Sequence, residues 1–387
     1  MRNLNRTAVI VLLMLLAGCT APVPRLQGGV APLWQVKVGN RGDSTIHAPV
    51  AVSDGLVYVT AMDKVPGLYP WSVIYYLQAL SAEDGSFRWH SEQAGSNLTT
   101  PVVEDGIVYV GSIRAGIYAL DAISGQAIWF LNVTDPVSTP VVRDGKVYLS
   151  SEGRNPSDPN EPRENKLVTI DSKTGQWSWS VLLDRSFHPK LAPLVTSTAV
   201  YFVNGPKLYF ADPQTGNTRL VFEAEDDFIT EPALHDGTIY ITSHSDLMAI
   251  DADSGALLWS LPIDEGMLGS MLFSDDVAYL SVMIGFSPPL LGTGRVVAVD
   301  INTQNELWHF DFNSPIYSLV DDDDTIYFVS GSQMRGINKT TGRQVWRFKA
   351  KDTLNAPTIA DGIIYVGDRS GQLYALPAAE KPRSLTQ

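Results

Sequence analysis

Residues 101–130, PVVEDGIVYVGSIRAGIYALDAISGQAIWF, contain the pattern that decides the fold of this 387-residue chain. Four short runs of β-forming residues alternate with three tight-turn pairs, Asp105-Gly106, Ala115-Gly116 and Ser124-Gly125. Short apolar or alternating runs separated by Gly-containing turns are typical of antiparallel strands. The stretch therefore predicts one four-stranded antiparallel meander.

The same pattern recurs along the chain, and two aromatic positions mark it. A tyrosine in the second strand occurs eight times at intervals of 38 to 53 residues: Tyr58, Tyr109, Tyr148, Tyr201, Tyr240, Tyr279, Tyr327 and Tyr365. A tryptophan in the fourth strand occurs seven times: Trp34, Trp89, Trp129, Trp179, Trp259, Trp308 and Trp346. The fourth repeat has Leu220 at this position. A four-stranded repeat of about 40–45 residues predicts a β-propeller.

The two ends of the repeat region predict how the ring closes. The eighth repeat ends near Leu376 without a tryptophan strand, and a strand of that type, around Trp34, stands alone before the first repeat. Pairing of this N-terminal strand with the last three strands would close the ring and protect exposed strand edges. We predict an all-β, eight-bladed propeller with four antiparallel strands per blade over residues 31–377, followed by a tail at 378–387.

The N-terminal segment has the features of a secretory signal. Arg2 and Arg6 precede an apolar run over residues 8–16, which is about half the length that spans a bilayer. The segment ends in Leu-Ala-Gly-Cys at residues 16–19, which resembles the bacterial lipobox.

The resemblance to a lipobox implies cleavage before Cys19 and acylation of its thiol. We predict a signal peptide at residues 1–18 and a lipidated tether at 19–30, which attach the protein to a membrane. The predicted location is the cell envelope beyond the inner membrane. This means the periplasmic face in a cell with two membranes, or the cell surface in a cell with one.

Composition excludes several functional classes. The single Cys excludes an internal disulfide and a Cys-based structural zinc site. With 42 acidic and 28 basic residues the net charge is −14, which argues against binding nucleic acid through its phosphates. No His pair has the spacing of a metal site. We therefore predict a propeller that binds no metal and no cofactor. We also expect the propeller to be monomeric.

Three segments carry a family resemblance. Residues 119–129 (ALDAISGQAIW), 168–179 (VTIDSKTGQWSW) and 249–259 (AIDADSGALLW) resemble the tryptophan-docking repeat of the PQQ-like propeller superfamily. The resemblance implies that the repeat tryptophans are structural and that each packs against the next blade. Together with the lipobox, the blade count and the closing strand, it also indicates the propeller lipoproteins of the outer-membrane β-barrel assembly machinery. This second resemblance implies a scaffold that binds another envelope protein.

A different branch of the superfamily consists of dehydrogenases that hold a quinone over Ca²⁺ in the central funnel. The predicted funnel-mouth candidates are Thr100, Thr139, Glu231, Tyr317 and Asn355. Only one of them is a carboxylate, whereas calcium needs six or more oxygen ligands and alcohol oxidation needs a base. The sequence favours a protein that is not an enzyme. Two alternatives stay open: a quinone-dependent dehydrogenase, and a ligand- or carbohydrate-binding propeller.

Three repeats carry insertions between their second and third strands, at residues 62–74, 152–165 and 283–294. In a meander these insertions share the face of the funnel mouth. Two of them are apolar and rich in proline, as expected of a protein-binding rim. The partner-binding candidates are Leu68, Tyr69, Trp71, Phe286, Leu290 and Leu291. The alternative is that these side chains only cover neighbouring blades.

Overall fold

The computed structural model describes residues 29–39, 44–65, 72–113, 115–133, 138–153, 164–183, 191–243, 246–262, 266–285 and 292–379. Within these ranges the regular elements are all β-strands. No helix that is long and apolar enough to cross a membrane occurs in them. The predicted signal peptide and Cys19 lie outside the described residues and stay predictions.

The strands follow one another in chain order from the closing strand to blade 8. The closing strand and blades 1 and 2 contain β1 (Trp34–Lys37), β2 (Ser44–Ile46), β3 (Ala51–Ser53), β4 (Leu56–Lys64), β5 (Val73–Ser81), β6 (Phe87–Gln93), β7 (Ser96–Leu98), β8 (Val102–Glu104), β9 (Ile107–Ile113), β10 (Gly116–Asp121) and β11 (Ala127–Leu131). Blades 3 to 5 contain β12 (Val141–Arg143), β13 (Lys146–Gly153), β14 (Glu164–Asp171), β15 (Trp177–Leu183), β16 (Leu194–Val195), β17 (Val200–Asn204), β18 (Lys207–Ala211), β19 (Thr218–Glu223), β20 (Ala233–His235), β21 (Thr238–Thr242), β22 (Asp246–Asp251) and β23 (Leu257–Pro262). Blades 6 to 8 contain β24 (Gly266–Ser274), β25 (Val277–Ile284), β26 (Thr293–Asp300), β27 (Glu306–Phe312), β28 (Ser318–Asp321), β29 (Thr325–Ser330), β30 (Gln333–Asn338), β31 (Gln344–Lys349), β32 (Thr358–Ala360), β33 (Ile363–Gly367) and β34 (Gln372–Pro377).

These strands form eight antiparallel sheets, and the predicted eight-bladed propeller is confirmed. A blade such as β12-β13-β14-β15 consists of four consecutive strands, and blades 1 and 2 each gain a short extra strand, β2 and β7. Blade 8 has the order β1-β34-β33-β32, with Trp34 opposite Ala375 and Lys37 opposite Gln372. The N-terminal strand therefore closes the ring as predicted.

The turns between the first and second strands have the chemistry that a tight hairpin demands. In blade 2, Asp105 and Gly106 have φ values of 50° and 73°, the left-handed region that type I′ hairpins need at both central positions. Four other blades repeat this Asp-Gly turn with the same backbone geometry: Asp54-Gly55, Asp144-Gly145, Asp236-Gly237 and Asp361-Gly362. The second-strand tyrosines that follow are buried between blades, with exposures of 5 % or less.

The outer strand of most blades has a β-bulge just before the repeat tryptophan. In blade 2, Trp129 lies opposite Ala119, but the next pair is Leu120 with Ala127, so Ile128 is the extra residue. The same register shift occurs in blades 1, 3, 5, 6 and 7. A bulge bends a strand and redirects its side chains. The indole Nε1 of Trp129 donates a hydrogen bond of 2.8 Å to the carbonyl of Ser172 in blade 3.

Other repeat tryptophans make the same contact with the blade that follows. Their Nε1 atoms donate to carbonyl oxygens of the next blade over 2.7 to 3.1 Å, as in Trp34 to Ala82, Trp89 to Ala122, Trp179 to Pro213, Trp308 to Lys339 and Trp346 to Pro377. Seven tyrosine–tryptophan pairs within blades have ring centroids 5.5 to 6.0 Å apart. The tryptophan therefore joins its own blade to its neighbour.

Blade 4 departs from this arrangement. Leu220 lies opposite Tyr209, so the large aromatic side chain has moved to the third strand. The extra residue of the bulge is Val221, one position after Leu220, whereas in the other blades it comes one position before the tryptophan. The backbone of Val221 approaches the turn glycine Gly255 of blade 5, where a Cβ would lie 2.2 Å from the Val221 oxygen. Blade 4 thus reaches blade 5 with backbone where other blades use an indole.

Candidate functional site

The funnel mouth is formed by the segments that connect each outer strand to the next inner strand. Two of these connecting segments, β2 and β7, pair with the C-terminal ends of the second strands: Ile46 lies opposite Ala61, and Ser96 lies opposite Ile113. The C-terminal ends of the second strands lead into the turns between second and third strands. The connections and those turns therefore lie on one face of the propeller, as the meander predicts, and we call it the funnel face.

Three hairpins rise further on the funnel face than the others. The strands β4 and β5 have nine residues each, and β13, β14, β25 and β26 have eight. The second and third strands of the other five blades have five to seven. These long hairpins carry the three predicted insertions.

The tips of the long hairpins lie outside the described residues. The first stem is described as far as the hydrogen bond of 2.9 Å from the Val65 nitrogen to the Ser72 oxygen. All six partner-binding candidates, Leu68, Tyr69, Trp71, Phe286, Leu290 and Leu291, fall in the tips and remain predictions.

A buried carboxylate lies near the funnel-face end of the first long hairpin. Asp63 in β4 is 3 % exposed and accepts hydrogen bonds from the hydroxyls of Ser44, at 2.6 Å, and Tyr76, at 2.8 Å. Burial, the largest cause, raises the pKa of Tyr76 well above that of a free phenol. The hydroxyl donors compensate the desolvation of the carboxylate. This cluster connects β2 to the hairpin stem, and no pattern in the amino-acid sequence indicated it.

Several hydroxyl residues of the funnel mouth bond to their own blades. Thr99, Ser138 and Thr230 accept hydrogen bonds from the backbone nitrogens of the second strand, at Gly111, Ser150 and Thr242, over 2.9 to 3.1 Å. Two candidates, Thr100 and Thr139, directly follow such residues and are half-buried. These hydroxyl groups therefore attach the segments that lead into the inner strands to the second strand of the same blade.

Asn355 and Tyr317 have different surroundings. The side-chain Nδ2 of Asn355 donates to the carbonyl of Ile46 over 2.9 Å and links blade 8 to blade 1. Tyr317, in the connection to blade 7, is 62 % exposed. Of these two candidates, Tyr317 is the one that presents a large surface to a partner or ligand.

Glu231 is the carboxylate of the predicted ring. The residue is exposed, and its Oε1 accepts a hydrogen bond of 3.1 Å from the Ala192 nitrogen of blade 4. Desolvation by the surrounding protein, the larger cause, raises the pKa of Glu231 above the usual carboxyl value, and the hydrogen bond from Ala192 opposes that shift. On the opposite side of the ring, burial, the larger cause, and Arg369 lower the pKa of His47.

The described funnel residues do not fit a calcium-bound quinone. No group of three His, Cys, Asp or Glu side chains in the described ranges could hold a metal ion. The amide of Asn355, the nearest companion that the sequence offered for Glu231, is already bonded to Ile46. Glu231 with one backbone donor can orient a cationic or hydroxyl group, but it lacks the companion oxygens that Ca²⁺ requires.

Comparisons with known proteins agree with this fold. The family described as "Outer membrane protein assembly factor BamB" matches residues 75–228, 221–285 and 292–381. The protein of that title from Salmonella typhimurium is 26 % identical over 94 % of this chain and 96 % of its own length. The structure of BamB from Moraxella catarrhalis has a TM-score of 0.65 at 16 % identity and covers 90 % of this chain and 99 % of that one. The quinohemoprotein alcohol dehydrogenase from Comamonas testosteroni has a TM-score of 0.67 at 15 % identity, covering 92 % and 78 %. The two structural likenesses show the fold alone.

Proposed function

Because the chain belongs to the family of the outer membrane protein assembly factor BamB, we propose that it is a non-catalytic scaffold that binds another envelope protein during outer-membrane protein assembly. The observation that carries this proposal is the set of three long hairpins on the funnel face. Function in propellers is commonly placed on loops that a rigid ring holds in position.

The geometry of the first long hairpin supports a rigid binding element. Its nine-residue strands are paired along their full length, from Leu56 with Ser81 to Lys64 with Val73. The buried Asp63 cluster fixes the stem to the ring, so a partner that contacts the tip does not have to order the stem. Preorganised loops bind more tightly because less conformational entropy is lost on binding.

A scaffold also agrees with the chemistry of the funnel. Proton abstraction from an alcohol needs a carboxylate base near a bound cofactor. Glu231 alone, without a set of metal ligands in the described residues, favours binding over catalysis. The likeness to the dehydrogenase is one of fold, and within the part of the chain that the structure describes it is not accompanied by a group of three metal-ligating side chains.

We further propose that the acylated Cys19 attaches the scaffold to a membrane. The described chain begins at Gly29, and the Val30 nitrogen donates to the carbonyl of Arg347 in the outer strand of blade 7. Eleven residue steps from Cys19 to Val30 span at most about 40 Å. The lipid would therefore hold the propeller within that distance of the bilayer.

A crosslinked pull-down from the native envelope tests the binding face. In the test variant, residues 66–72 and 284–291 are replaced by short Gly-Ser turns; in the matched control, the polar insertion 154–163 is replaced instead. We expect the intact chain and the control to capture the same partner, and the test variant to capture about tenfold less, because apolar anchors carry most binding energy.

The outcomes of this pull-down separate the two levels of the proposal. A loop-dependent partner from the outer-membrane assembly machinery supports the full proposal. A loop-dependent partner of another kind supports a scaffold and contradicts the assembly role. Equal capture by all three proteins contradicts binding through the apolar hairpin tips.

A further inference from the structure

Trp346 of blade 7 lacks a contact that five of the other repeat tryptophans have. In those blades, the indole lies against a glycine in the turn between the third and fourth strands of the next blade, where an added Cβ would be 2.5 to 2.8 Å from the ring: Gly85 on Trp34, Gly125 on Trp89, Gly175 on Trp129, Gly216 on Trp179 and Gly342 on Trp308. Blade 8 takes its fourth strand, β1, from the N-terminal part of the chain, so no turn joins its third and fourth strands. The indole of Trp346 donates instead to the carbonyl of Pro377, at the end of β34.

A cavity of about 690 Å³ borders this indole at the boundary between blades 7 and 8. It is lined by the turns between the first and second strands of both blades, so it lies on the face opposite the funnel. Val30, Pro377 and Ala378 give the cavity an apolar side. Asp322 and Asp324, in the turn between β28 and β29, give it negative charges. The space therefore suits a chain segment that has both cationic and apolar side chains.

The C-terminal chain reaches this cavity in a fixed position. The Ala378 nitrogen donates to the Gly362 carbonyl over 2.9 Å, and the Ala379 nitrogen donates to the Tyr327 hydroxyl over 2.7 Å. That hydroxyl donates in turn to Oδ2 of Asp322 over 2.7 Å. Ala379 is therefore connected through one side chain to the acidic turn.

We propose that residues 381–385, Lys-Pro-Arg-Ser-Leu, bind in this cavity and form a latch where other blades have the turn between their third and fourth strands. Residues 380–387 follow Ala379 and lie outside the described residues. A fully extended chain from Ala379 spans at most about 7 Å to Lys381 and about 14 Å to Arg383. The two cations therefore stay close to the cavity that Ala379 lines.

Charge and packing both favour this position. The two cations meet the carboxylate side of the cavity, while Lys339 of the same blade is already paired with Asp321 over 2.6 Å. Exposed ion pairs contribute little by themselves, so burial of Pro382 and Leu385 on the apolar side is expected to add to the binding. Val30, from which the proposed tether leaves, lines the same cavity. The latch would therefore hold both chain ends where β1 closes the ring, and it does not depend on the proposed scaffold function.

Disulfide formation between introduced cysteines tests the latch. In the full chain with Cys19→Ala, Leu385→Cys is combined with Val345→Cys, because Val345 lines the cavity and is 39 % exposed. The matched control has the same two cysteines and the reversed charges Lys381→Glu and Arg383→Glu, so the reach of the tail is unchanged. We expect the control to form the disulfide about tenfold more slowly at low salt, since two attractions become repulsions. The difference should shrink at high salt.

A charge exchange separates binding in the cavity from a general effect of the substitutions. Adding Asp324→Lys to the control should restore part of the rate; if that chain does not fold, Asp324→Asn with the original tail replaces it and should slow the reaction. A second pair, Leu26→Cys with Val345→Cys, reports on the N-terminal tether. Equal rates for the original and charge-reversed tails overturn the proposal, as does no effect of the Asp324 substitution. A faster reaction from position 26 than from position 385 assigns the cavity to the tether and also overturns it.

Discussion

Replacing Trp89 by alanine should lower the free energy of unfolding by about 3–5 kcal/mol, the usual cost of removing a buried tryptophan. Trp89 is 7 % exposed, packs 6.0 Å from the Tyr58 ring and donates to the carbonyl of Ala122 in blade 2. The Tyr58 hydroxyl also donates to that carbonyl, so the substitution leaves the acceptor satisfied. The loss is therefore mainly one of packing between blades 1 and 2.

Trp177→Ala is the matched control for this experiment. Trp177 is the first residue of β15 and is 50 % exposed, so its replacement should lower the free energy of unfolding by less than about 1 kcal/mol. Urea unfolding followed by circular dichroism compares the two variants with the wild type. Equal midpoints for both variants would contradict the role of the repeat tryptophan as the joint between blades.

Gly125→Ala should destabilise the chain more than Gly106→Ala, although both glycines have positive φ, 70° and 73°. A non-glycine residue in this backbone region costs about 1–2 kcal/mol, and this cost is shared by both variants. A Cβ at Gly125 would lie 2.5 Å from the Trp89 ring, whereas a Cβ at Gly106 would meet nothing within 4 Å. Overpacking of this kind adds about 1–3 kcal/mol.

Measuring both variants by the same urea titration isolates the contact between the turn glycine and the indole. The predicted result is a larger loss for Gly125→Ala by the overpacking amount. A larger loss of stability for Gly106→Ala, or the same loss for both variants, would mean that the Trp89 ring moves aside for the added Cβ at no cost in free energy. The docking of blade 1 on blade 2 would then not depend on the close fit around Trp89.

The repeat made the fold predictable because each blade repeats the same local choices. Aromatic residues recur at two strand positions and Asp-Gly at one turn, so the blade count and the closing strand could be read from spacing alone. The β-bulge before the tryptophan could not, because it depends on which backbone groups pair and leaves no distinct residue type at Ile128. For the same reason the sequence around Leu220 did not indicate that the large aromatic side chain of blade 4 lies opposite it, at Tyr209 in the third strand.

The candidate site was predictable in position but not in role. The meander places Glu231 and Tyr317 at the funnel mouth, yet the sequence could not show that Asn355 is engaged with Ile46 in another blade. The buried Asp63 was also missed, because a carboxylate on a strand is ordinarily solvated and its hydroxyl partners come from separate strands.

The most direct test of the scaffold proposal is site-specific photocrosslinking from the two faces of the propeller. A photoreactive phenylalanine derivative is placed at Tyr317, 62 % exposed on the funnel face, or at Ile123, 81 % exposed in a turn on the opposite face. Crosslinking in the intact envelope is followed by mass spectrometry of the adducts. A partner protein captured from position 317 and absent from position 123 is the result that we predict. Capture from position 123 with none from 317 would contradict the assignment of the funnel face as the binding surface.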